Sequence, residues 1–133
     1  MIEVDGAPPK LQGCCCEGLL CQQYWYGGEL ADEADVVWLK VGGRWHQLFF
    51  DGGVVHWRNH GAEPEARRGS PDGVLTYPMV DLAARYGLKD ETIAYTSLAE
   101  TTEGETFSLA FEQAGTLMFV NLGDRTQIRH WRR

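Results

Sequence analysis

Between residues 36 and 58 the chain alternates β-branched and aromatic residues with pairs of glycines, and this restricts the fold more than any other stretch. Residues 36–41 lead into Gly42-Gly43, residues 44–50 into Asp51-Gly52-Gly53, and residues 54–58 complete the pattern. Tight hairpin turns that match strand twist need positive φ at their central residues, which Gly-Gly and Asp-Gly supply at little steric cost. The pattern predicts a three-stranded antiparallel meander over about 36–58.

Side chains alternate across a strand, so a two-residue turn at Gly42-Gly43 sets Leu39 opposite His46 and Val37 opposite Leu48. One face then carries Val37, Leu39, Val41, His46, Leu48, Phe50, Val55 and Trp57. It is nearly all apolar and is expected to pack on the core. The other carries Val36, Trp38, Lys40, Trp45, Gln47, Phe49, Val54, His56 and Arg58, a mixture of aromatics and long polar side chains.

Around the meander the signals are more ordinary. Residues 1–13 hold Gly6, Pro8, Pro9 and Gly13 with little periodicity, which predicts a flexible N-terminal arm ahead of a single globular domain over 14–133. Residues 19–26 predict a strand, and Ser70-Pro71-Asp72-Gly73 a type I turn. Pro78, the spacing of Met79, Leu82, Ala83 and Tyr86, and Gly87 as a cap predict one short helix over about 78–86. A C-terminal β region over about 92–131 follows, with strands at 92–98, 105–112, 116–122 and 125–131. A tight turn at Gly123-Asp124 puts Leu117, Phe119, Ile128 and His130 on one face. The fold class expected is α+β, mainly β: an antiparallel sheet or sandwich built from the meander and the C-terminal region.

Charge bounds the partners. Lys and Arg total 12 against 19 Asp and Glu in 133 residues, a formal net charge of -7. Such a chain repels nucleic acid and anionic membranes at long range and favours basic partners. From Glu91 to Asp124 every charged residue is acidic, and the tail then turns basic with Arg125, Arg129, Arg132 and Arg133. No stretch is long and apolar enough to span a bilayer as a helix. The start lacks the basic-then-apolar order of a secretory signal, which predicts a cytoplasmic protein.

Cys14, Cys15, Cys16 and Cys21 form the most unusual cluster and are candidates for a redox or soft-metal function. Their spacing is poor for zinc, since no C-x-x-C pair is present. Histidines 46 and 56 fall on opposite faces of the meander and are not expected to share an ion. Asp32, Glu33 and Asp35, and Glu100, Glu103 and Glu105, fit no calcium loop and read as solvated loops. No G-x-S-x-G, G-x-x-x-x-G-K-[ST] or G-x-G-x-x-G occurs, so no nucleotide cofactor is expected.

The polar-aromatic face of the meander remains, with Trp38, Lys40, Trp45, Phe49, His56 and Arg58 as candidate binding residues. Trp, Tyr and Arg are enriched at binding hot spots. Together with the negative charge, these residues point to a small acidic non-catalytic protein-binding module, an immunity-like inhibitor of a basic protein. That comparison with immunity proteins rests on size and charge, without a shared motif. The alternatives are an enzyme or ligand-binding protein with a pocket between sheet and helix, reached by Tyr86 or His56, and a cysteine-cluster redox or metal binder.

Overall fold

A computed structural model describes residues 2–132, in which eleven strands and one helix form two sheets. The chain is mostly β with one short helix, as the alternation and turn signals imply. β1 (Glu3–Asp5), β2 (Gly18–Tyr26), β3 (Glu29–Val41), β4 (Arg44–Asp51), β5 (Val54–His60), β6 (Leu75–Thr76) and β7 (Met79–Asp81) make the first sheet. Its order is β1-β5-β4-β3-β2-β6, with β7 also pairing with β2. After α1 (Leu82–Tyr86), β8 (Ile93–Thr101), β9 (Gly104–Phe111), β10 (Thr116–Leu122) and β11 (Arg125–Trp131) form a four-stranded antiparallel sheet in reverse chain order.

The meander registers follow from its turns. Gly42 and Gly43 have φ of 56° and 74°, and Val41 pairs with Arg44, Leu39 with His46 and Val37 with Leu48. At the second turn Asp51 pairs with Val54. The apolar face therefore points inward: Val37, Leu39, Val41, Leu48, Val55 and Trp57 are buried, and Phe50 packs beside them. The second sheet meets them with Phe107, Leu109, Phe111, Leu117 and Phe119. The Trp57 ring lies edge-on to Phe107 at 5.4 Å, so the two sheets pack face to face as a sandwich.

Three elements differ from the sequence expectation. Within residues 1–13, Glu3–Asp5 runs parallel to β5 and Leu11 is buried in the core. Parallel pairing at an edge needs no local turn, so glycine and proline punctuation cannot signal it. Residues 79–81, assigned to the helix by periodicity, pair with β2 instead. The helix is five residues long, starting after Asp81, whose carboxylate accepts the Ala84 N–H, and ending at Gly87 with φ 67°. Finally, β3 begins at Glu29 rather than Val36, which carries the first acidic cluster into the sheet. No helix among the described residues is long and apolar enough to cross a membrane.

Candidate functional site

The six candidate binding residues do share the outer face of the first sheet, but packing and local charge pairing occupy most of them. Trp38 is 3% exposed, between Leu20 of β2 and Gln47 of β4, with its ring edge-on to His60 at 6.2 Å. At the neighbouring β2–β3 pair, Gln22 with Val36, the Arg67 N–H donates to Gln22 Oε1 at 2.6 Å. Lys40 Nζ stands 5.8 Å from the centre of the Trp45 ring. That ring lies against Gly18, where an added Cβ would come within 2.8 Å of Cη2 and the indole would have to shift. Farther along, Phe49 stacks on His56 at 4.7 Å and the Arg58 guanidinium lies 6.0 Å from the same phenyl ring. Asp5 of β1 closes this group, with Oδ2 2.6 Å from Arg58 Nη2 and 2.9 Å from His56 Nδ1. Arg58, then His56, hold the Asp5 carboxyl below its ordinary range.

The other end of the sheet is built differently. An open groove of about 650 Å³ is lined by Tyr24 and Tyr26 of β2, Glu29, Leu30, Asp32 and Asp35 of β3, and Asp124 and Arg125 at the β10–β11 turn. A second cavity of about 390 Å³ adjoins it through Asp35 and Asp124 and adds Phe49, Phe50 and Asp51. The Gly27-Gly28 turn places β3 back along β2, so Tyr24 pairs with Asp32 and Tyr26 with Glu29. Tyr26 is largely exposed, whereas Tyr24 stacks on Tyr77 at 5.3 Å.

Carboxylates also join the two sheets here. β11 is an edge strand, and the N–H groups of Thr126 and Ile128 are not used by β10. Asp32 Oδ1 accepts the first at 3.0 Å and Glu33 Oε1 the second at 2.7 Å. The edge is thereby covered by side chains rather than by another strand. Arg125 returns the contact, donating from Nε to Ala31 O at 2.7 Å and from Nη2 to Leu30 O at 3.2 Å. Asp32 is 8% exposed, and burial pushes its carboxyl up to about 6. Asp32 and Glu33 are thus not a solvated loop. The signal that locates them is Gly27-Gly28, the same punctuation as Gly42-Gly43: a hairpin there requires a return strand from Glu29.

The cysteines do not converge on one point. Hydrogen bonds lace residues 13–16 to residues 90–93, with Cys15 bridged to Thr92. Cys15 is exposed and Cys14 partly so, while Cys16 and Cys21 are buried and their thiols are pushed up to about 12 by burial. No group of three or more His, Cys, Asp or Glu among the described residues is placed to hold a metal ion. His56 belongs to the Asp5 group, His60 to Trp38, and His130 meets Ala114 O at 3.0 Å with Tyr86 against its ring. At the helix, Leu82 and Ala83 are buried in the core.

Comparison with protein-family models, with curated proteins and with solved structures finds no match.

Proposed function

We propose that this protein is a small acidic protein-binding module that captures a basic partner, acting as an inhibitor-like cap, and that the groove beside the β10–β11 turn is its contact surface. One observation carries this reading. Glu29, Asp32, Asp35, Asp51 and Asp124 line the two adjoining cavities, and the one cation among the described residues that lines them, Arg125, donates to the Leu30 and Ala31 carbonyls. A concave surface with one sign of charge concentrates the opposite charge and speeds encounter with it. Tyr24, Tyr26 and Phe49 supply aromatic area of the kind that anchors an interface. The Trp38 face is the weaker choice, because Trp38 is buried and Asp5, His56 and Arg58 are matched among themselves.

The test is capture from native cytosol at moderate salt by the tagged chain and by an Asp35→Asn, Asp124→Asn double variant. Asparagine retains an acceptor for the Gln22 and Gly52 donors that these carboxylates serve. A basic protein retained in near-equal amount by the wild type and lost from the double variant is the expected result. Equal retention by both would place the interface elsewhere. No basic protein retained by either would end the basic-partner reading.

A further inference from the structure

Asp32 is the member of the groove that solvation alone does not account for. It lines the groove although it is 8% exposed. Its Oδ1 is doubly used, by the Ala34 N–H at 3.1 Å and the Thr126 N–H at 3.0 Å. Its Oδ2 has no hydrogen-bond partner among the described residues. Nor is that oxygen cut off from solvent: among the described residues the fully buried side-chain polar atoms without a partner are three indole nitrogens, of Trp38, Trp45 and Trp57. A largely buried carboxylate is costly unless it is paired. Arg125, the neighbouring cation, directs Nε and Nη2 to backbone carbonyls instead.

We propose that Asp32 Oδ2 is the anchor for one lysine side chain of the basic partner, whose ammonium group enters the groove and pairs with it. This rests on the basic-partner reading of the same groove. Lysine is chosen over arginine on geometry. An arginine fork is best matched by a carboxylate offering both oxygens, and Asp32 offers one. An ammonium is a compact charge with three donors. It can give one to Asp32 Oδ2 and another to Asp35, whose Oδ2 already accepts from Gln22 while Oδ1 has no hydrogen-bond partner among the described residues. Tyr24 and Tyr26 line the same groove and provide ring faces that attract a cation. The upward displacement of the Asp32 pKa, caused first by burial and then by Asp35, has the sign expected of a carboxylate lacking its counter-ion.

The experiment uses hexalysine and hexaarginine as probes on the full chain at physiological ionic strength. Asp32→Asn keeps an oxygen for the two N–H groups and removes only the charge. Hexalysine is expected to bind this variant about tenfold more weakly than the wild type, with hexaarginine affected less. Unchanged hexalysine affinity in Asp32→Asn, or an equal loss for both peptides, overturns the lysine anchor. If the Asp35→Asn, Asp124→Asn variant still loses binding in that case, the groove reading survives. If the wild type binds neither peptide, both readings fall. A second measurement does not depend on the variant folding: the carboxyl carbon of Asp32 is titrated by NMR with and without hexalysine. Bound ammonium is expected to lower its midpoint, and an unmoved midpoint at saturating peptide overturns the proposal.

Discussion

The outer face of the first sheet and the groove at its β2–β3 end use similar residues, aromatics beside charged side chains, but they settle their charges in different ways. On the face, Asp5 is held by Arg58 and His56, and Lys40 stands over Trp45. In the groove, carboxylates gather around Arg125, which serves backbone carbonyls. Aromatic richness along a strand is therefore first a packing signal. Charge that the fold does not neutralise is the better guide to what lies outside the chain.

The sharpest way to break this contrast is at Trp38. If the face is packed, Trp38→Ala should cost about 3–5 kcal/mol in urea denaturation, as truncation of a buried large side chain does. Trp38→Phe should cost much less, because the indole N–H has no partner to lose. A loss below about 1 kcal/mol for the alanine variant would mean that the face is open after all, and it would return as a rival contact surface.

The two regions also differ in how far the sequence reveals them. The meander is readable because each turn carries its own glycines and each strand a period of two, so register and faces follow from local chemistry alone. The C-terminal hairpin is readable for the same reason: Leu117 pairs with His130 and Phe119 with Ile128 around Gly123-Asp124. What local pattern cannot supply is what covers an outer face. The Trp38 ring meets His60 and Gln22 is bonded to Arg67, neither of which a local pattern announces, and Asp5 reaches Arg58 only through a parallel pairing. Asp32 is hidden in sequence for a further reason. An acidic run reads as solvated, and its burial is decided by β11, more than ninety positions away along the chain.

Asp32 gives the next largest effect and sharpens the contrast through pH. The folded residue holds its proton up to about pH 6, whereas its ordinary value is 3.8. The folded state thus binds more protons between those values, and stability from this group falls as pH rises through the window. Above it the ionised carboxylate costs about 3 kcal/mol, the equivalent of the displaced pKa. Asp35, Glu29 and Asp124 line the same groove and keep the local field negative, with Arg125 opposing them. Asp32→Asn should therefore match the wild type near pH 4 and exceed it at pH 8. Asp32→Ala should fall about 2 kcal/mol below the asparagine variant at both values, because the Ala34 and Thr126 N–H groups lose their acceptor. If asparagine and wild type run parallel across the whole range, the groove carboxylate is as well solvated as any surface acid, and the contrast with the face disappears.

The smallest effect is expected at Asp5, and its smallness is informative. Arg58 and His56 lower its pKa, so whatever stability it adds is present above its ordinary value and is lost as pH falls through the folded one. But the Asp5 side chain is 52% exposed and Arg58 is 45% exposed. Water and salt screen such a pair, and holding two long side chains in one geometry offsets most of the gain. Asp5→Asn should leave the denaturation midpoint unchanged at moderate salt and only slightly speed hydrogen exchange in β1, whose backbone pairing with β5 from Glu3 to Asp5 remains. A large loss of exchange protection would show instead that the ion group, not the backbone ladder, holds β1 in place. The charges of the outer face would then be structural in a way that those of the groove are not, and the two regions would differ in role as well as in balance.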